Sequence, residues 1–81
     1  MTPEILKLKE QISSILAQKP VSDSTFPIGT YGRIAVYDTA GIGYTIQAFF
    51  KDEMQYSVTD FEYSVAVHKF MKVFEKYNKI Y

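Results

Sequence analysis

Two stretches of alternating apolar and polar side chains, joined by a short glycine-containing connection, constrain the fold of this chain most. In residues 31–38 (YGRIAVYD), Ile34 and Val36 lie on one side of the alternation, and residues 43–51 (GYTIQAFFK) alternate in the same way. A period of two is typical of a strand with one buried face. With residues 39–42 as the connection, the pattern predicts a β-hairpin.

Two further segments flank this hairpin. Residues 54–58 predict a third strand, because Met54, Tyr56 and Val58 recur at period two. Residues 19–30 contain two prolines, a glycine and a run of Ser, Thr and Asp positions, so they predict a loop. Three apolar side chains are expected to hold this loop against the core, namely Val21, Phe26 and Ile28.

Both ends of the chain have helical periodicity. Thr2 and Pro3 suit a helix start, and the apolar spacing that follows predicts a helix over residues 3–18. A second helix is expected to begin at Thr59 or Asp60. Its apolar positions recur at intervals of three and four: Tyr63, Ala66, Val67, Phe70, Phe74, Tyr77 and Tyr81.

The predicted order is therefore α-β-β-β-α. We expect one α+β domain over residues 1–81, in which two helices pack on one face of a three-stranded antiparallel meander. This order resembles that of double-stranded-RNA-binding domains, whose last helix has a basic start that contacts phosphates. Here that start is Asp60-Phe61-Glu62-Tyr63, acidic and aromatic, so the sequence does not place the chain in that family.

The composition restricts the classes of function. The 81 residues include no cysteine, which excludes disulfides, thiolate metal sites and cysteine nucleophiles. The formal net charge is zero, which argues against broad binding to phosphates. The N-terminal segment carries charges within its apolar pattern, unlike a signal peptide, and no apolar run is long enough to span a bilayer. We expect a cytoplasmic protein without a membrane interaction.

Three features resemble parts of catalytic sites. Asp38-Thr39-Ala40-Gly41 has the DxxG spacing of a GTPase switch, but the chain lacks the phosphate-binding loop, and turn chemistry explains the tetrapeptide. Gly41 and Gly43 lie between strands, where hairpin geometry accounts for them. His68 follows Ser64 by four residues without an orienting acid or an oxyanion hole. We therefore expect no catalytic residue, metal site or cofactor.

The sheet offers the first candidate binding surface. Two helices cover one face of a small sheet and leave the other face open. The open face of the hairpin is expected to carry aromatic, basic and polar side chains: Tyr31, Arg33, Tyr37, Thr45, Gln47 and Phe49. Tyr and Arg are enriched in the hot spots of protein interfaces. The sequence favours a non-enzymatic protein-binding module of inhibitor or adaptor type, with another protein or a second copy of itself as the partner.

The last helix offers a second candidate surface. Lys69, Lys72, Lys76 and Lys79 recur at intervals of three and four and form one stripe. Such a stripe can bind phosphates of nucleic acid or an acidic protein, and it is equally typical of the solvated face of an amphipathic helix. Nucleic-acid binding is one alternative function. Binding of a small molecule between the helices and the sheet is another.

Overall fold

The computed structural model describes residues 3–78, which contain two helices and four β-strands. The elements follow one another along the chain as α1 (Pro3–Leu16), β1 (Ser24–Ile28), β2 (Gly32–Thr39), β3 (Gly43–Phe50), β4 (Glu53–Asp60) and α2 (Tyr63–Tyr77). The predicted α+β class, the hairpin and both helices are confirmed. The expected contributions of Thr2, Lys79 and Tyr81 lie outside the described residues.

The four strands form one antiparallel sheet in the order β1-β2-β3-β4. The predicted three-stranded meander is therefore wrong by one strand, because residues 24–28 pair with β2 where the sequence indicated a loop. Pro27 lowered the strand signal, since proline cannot donate to a ladder and is tolerated only at an edge or a bulge. β1 is an edge strand of this sheet, so Pro27 is tolerated there. The extra strand also removes the match in element order to double-stranded-RNA-binding domains.

The core lies between one face of the sheet and the two helices. Its buried side chains come from both layers: Ile12, Leu16, Ile34, Val36, Ile46, Ala48, Ala66, Phe70 and Phe74. Phe26 and Ile28 pack against this cluster, as predicted, whereas Val21 is fully exposed and the expectation that it packs is wrong. α1 lies against β1, and α2 lies against β3 and β4. Both helices thus cover the same face.

The start of α2 differs from its prediction. Thr59 and Asp60 belong to β4, where Asp60 pairs with Tyr44, and the helix begins at Tyr63. Strand pairing has overridden the local cap signal. The Asp60 carboxylate still serves the turn, because it accepts a hydrogen bond from the backbone N–H of Glu62 at 3.0 Å.

A partly buried hydrogen bond links the end of α1 to the start of α2. The hydroxyl of Tyr63, at the start of α2, donates to the backbone carbonyl of Leu16, at the end of α1, over 2.7 Å. That carbonyl has no partner within its own helix, because the last four carbonyls of an α-helix lie beyond its hydrogen-bond ladder. Burial raises the pKa of the Tyr63 hydroxyl, so the group stays neutral and able to donate at physiological pH.

Candidate binding surfaces

Five of the six predicted sheet residues lie together on the face opposite the helices. The register of β2 and β3 pairs Arg33 with Phe49 and Tyr37 with Thr45, and Gln47 lies opposite Ala35 between them. Directly opposed residues of an antiparallel pair project to the same face. Their neighbours along each strand project to the core, which explains why the sequence alternation located this surface correctly.

Tyr31 stands apart from these five residues. The strand begins at Gly32, so Tyr31 belongs to the turn between β1 and β2 and not to β2 itself. Its ring makes an edge contact with Phe50, with the ring centroids 6.0 Å apart. The Lys51 ammonium lies 5.2 Å from the Tyr31 ring centroid. Tyr31 therefore extends the aromatic surface at the end of the sheet, outside the row of paired strand residues.

Arg33 is held in place by two neighbours. Its guanidinium carbon lies 4.2 Å from the centroid of the Phe49 ring, a cation–π arrangement, and Nη1 donates to the Asp52 carboxylate. An exposed ion pair of this kind contributes little to stability, about 0–1 kcal/mol. Its main effect is geometric, because a side chain already fixed over the ring loses less conformational entropy when a partner binds.

The open face extends further than the sequence indicated. Met54 of β4 pairs with Phe49 and is 54% exposed, while a bulge between Ala48 and Phe49 shifts the register there. Thr45 and Thr59 share a hydrogen bond between their hydroxyl groups, 3.0 Å apart. Strict alternation would place Met54 on the same face as Tyr56 and Val58 of β4, and those two side chains face the core. The sequence pattern therefore predicts the wrong face for Met54. The bulge therefore hid this residue.

The lysine stripe is only partly available. Lys69 donates to Asp60 at 2.9 Å, and this contact, together with the Glu62 backbone N–H, holds the pKa of Asp60 below its usual value. Lys72 and Lys76 are exposed on α2, and Lys79 lies outside the described residues. Between these lysines Glu75 pairs with Lys9 of α1 at 3.6 Å.

The residues considered for catalysis lie on α2 and at the end of β2. His68 and Ser64 are both exposed on α2. Asp38 lies at the end of β2, where its backbone N–H donates to the Asp23 carboxylate at 3.0 Å. Residues 3–78 contain no group of three His, Asp or Glu side chains placed to bind a metal ion. In the same part of the chain, neither helix is long and apolar enough to cross a membrane.

Comparison with known proteins does not assign the chain to a group. No protein-family model matches it, and neither does any of the curated proteins or solved structures searched. A functional proposal therefore depends on the geometry of the surfaces described above.

Proposed function

We propose that this protein is a small protein-binding module, of inhibitor or adaptor type, that contacts its partner through the open face of the sheet. One observation carries the proposal: Arg33, Tyr37 and Phe49 lie on one pleated face that neither helix covers. Aromatic and arginine side chains are enriched among the residues that dominate binding energy in protein interfaces. The absence of cysteine agrees with action in the cytoplasm.

The charge of the face suits a second copy of the chain as a first partner. Within residues 3–78 this surface combines both signs of charge, because Arg33 forms an ion pair with Asp52 and Lys51 lies beside them near Tyr31. Two copies of such a face can set opposite charges against one another, whereas a surface of one sign would oppose its own copy. A symmetric dimer uses the same patch on both subunits, so each self-complementary pair counts twice.

The size of the face decides which variants test the proposal. A stable interface buries about 800 Å² on each partner. Four strands of up to eight residues span roughly 20 by 26 Å, about 500 Å² before side-chain relief is added. An interface must therefore use most of the face. Tyr37 and Phe49 lie near opposite ends of it, and both should contribute.

We expect Tyr37→Ala and Phe49→Ala each to weaken self-association or partner binding at least tenfold, because truncating a hot-spot side chain costs about 2 kcal/mol or more. Light scattering after size exclusion, from low micromolar to near-millimolar protein, measures the dimer. Binding of a different partner protein is measured on immobilised wild type and on each immobilised variant. Phe61→Ala is the matched control, because Phe61 is 72% exposed between β4 and α2, outside the open face.

Loss of binding in both face variants, with retention in Phe61→Ala, supports the proposal. Equal binding by the wild type and all three variants contradicts it. The proposal is also contradicted if the wild type stays monomeric and binds no partner that Tyr37→Ala or Phe49→Ala fails to bind. A contact made through Lys72 and Lys76 behaves differently. It weakens steeply with salt and does not respond to Phe49→Ala.

A further inference from the structure

The helix-covered side of the molecule contains an apolar groove of about 220 Å³ at the end of the sheet where the β1–β2 and β3–β4 turns lie. The groove lies between α1, which contributes Leu8 and Ile12, and the end of α2, which contributes Phe74 and Tyr77. Its floor comes from Ala48 and the neighbouring strands. α1 lies over β1 while α2 lies over β3 and β4, so a gap remains between the helices at this end.

The lining of the groove is rich in aromatic side chains and, in the described part of the chain, includes no charged one. Among residues 3–78 the lining includes no Asp, Glu, Lys, Arg or His side chain. Its aromatic members are Tyr31, Phe50, Tyr56, Phe74 and Tyr77, and Phe49 also borders it although the Phe49 ring stacks with Arg33 on the open face. A charged ligand would lose its hydration here without gaining a counter-charge, which is costly. Flat rings provide matching surfaces for another flat ring.

Tyr56 provides a polar group within this apolar lining. Its ring lies 5.2 Å from that of Phe70 and 5.4 Å from that of Tyr77. The Tyr77 hydroxyl donates to Oε1 of Gln55 at 2.7 Å, whereas the Tyr56 hydroxyl has no such partner within residues 3–78. Burial, with the nearby Tyr77 adding to it, raises the pKa of Tyr56, so its hydroxyl keeps its proton and can donate.

We propose that this groove binds an uncharged bicyclic aromatic molecule that carries one hydrogen-bond acceptor, with the Tyr56 hydroxyl as the donor. A dry apolar cavity of about 150 Å³ holds benzene, so the larger volume here has room for a second fused ring. The site lies on the opposite side of the sheet from the open face. Phe49 borders both surfaces, whereas Tyr37 borders the open face and not the groove, so Tyr37 variants separate this proposal from the protein-binding proposal.

Quinoline is a suitable probe, because it is bicyclic, uncharged at neutral pH and has one acceptor nitrogen. Titration into the isotope-labelled protein, followed by amide chemical shifts, should give saturable shifts at Leu8, Ile12 and Phe74 with a dissociation constant on the order of 0.1 mM. Thr45 and Thr59, on the open face, should not shift. The anion 2-naphthoate has a similar shape, and we expect at least tenfold weaker binding because of its charge.

Two variants test the individual contacts. Tyr56→Phe removes only the hydroxyl, and we expect a loss of about three- to tenfold in quinoline affinity with an unchanged melting temperature, as for the loss of one hydrogen bond. Tyr77→Ala removes a ring that is 57% exposed, and we expect at least a tenfold loss of affinity while the chain stays folded. Tyr37→Ala, on the open face, is the matched control and should bind quinoline as the wild type does.

Several results would overturn the proposal. These are the absence of saturable shifts at millimolar quinoline, shifts centred on the open face, and equal binding of 2-naphthoate. An unchanged affinity of Tyr56→Phe for quinoline would show that the Tyr56 hydroxyl is not the donor. The ligand would then need no hydrogen-bond acceptor. Shifts of the groove amides that depend on protein concentration without any ligand would identify the groove as a contact between copies. Failure of protein binding in Tyr37→Ala with intact quinoline binding would separate the two proposals.

Discussion

Replacement of Gly43 by alanine is expected to lower the melting temperature by at least about 10 °C. The destabilisation comes entirely from the Cβ that alanine adds at this position. Gly43 opens β3 with φ at +108°, a region that L-residues rarely adopt. An added Cβ would also lie 2.7 Å from Cα of Phe61 and against the carbonyl oxygen of Asp60. These are backbone atoms of the neighbouring chain segment, so they cannot rotate away. Backbone strain of about 1–2 kcal/mol adds to overpacking of about 1–3 kcal/mol.

Gly41→Ala is the matched control for this prediction. Gly41 lies two residues earlier, in the turn closed by the hydrogen bond from the Ile42 N–H to the Thr39 carbonyl, and has φ at +80°. An added Cβ there has no atom within 4 Å. The variant should lose only the backbone term, about 1–2 kcal/mol, or roughly 5–10 °C for a domain of this size. Equal losses in thermal melts of the two variants would show that the close approach to β4 contributes nothing.

Phe70→Ala is expected to cost about 3–5 kcal/mol in the free energy of unfolding, the usual effect of removing a buried aromatic ring. Phe70 has no exposed surface, lies in the centre of α2 and packs against Tyr56 of β4. A domain of 81 residues has about 4–12 kcal/mol of stability in total, so this one change removes a large share of it. Denaturation by urea, followed by circular dichroism, measures the difference.

The controls for this prediction separate burial from residue type. Phe61→Ala removes the same ring from a position that is 72% exposed, and we expect a change within about 0.5 kcal/mol. Phe70→Leu keeps most of the volume and should cost less than about half as much as Phe70→Ala. A Phe61 variant as unstable as the Phe70 variant would contradict the assignment of the core to the helix-covered face.

The sequence predicted the parts of the fold that repeat over many residues. The alternation in β2 and β3 located the hairpin and placed Arg33, Tyr37 and Phe49 on the correct face. The helix over residues 3–18 ends at Leu16 in the structure, a difference within the usual uncertainty of helix ends. These patterns are local and each is supported by several residues, so one misleading side chain does not hide them.

The first strand could not be predicted, because its local and long-range signals disagree. Ser24–Ile28 has only five residues, and its Pro27 and Ser24 are typical of loops. Phe26 and Ile28 do alternate toward the core, but only the ladder to β2 makes the segment a strand. The same competition explains α2, since pairing of Asp60 with Tyr44 extends β4 past the position where a cap was expected.

The apolar groove is a different case. Its lining combines residues separated by most of the chain, from Leu8 of α1 to Tyr77 of α2. Each of these residues has the spacing of an ordinary core position, so the sequence could suggest small-molecule binding between helices and sheet only in general terms. The location depends on where the two helices part above the sheet, and that separation is a property of tertiary packing.

The meander order of the strands also bears on how the chain folds in time. Every strand pairs with its neighbour along the chain, so short loops close the sheet at little entropic cost. We expect the two helices to dock last, because their Tyr63–Leu16 contact spans 47 residues and closes a long loop. In stopped-flow experiments Gly41→Ala should therefore slow folding, while Phe70→Leu should mainly accelerate unfolding. Slower folding of Phe70→Leu, with unfolding unchanged, would place helix docking in the nucleus instead.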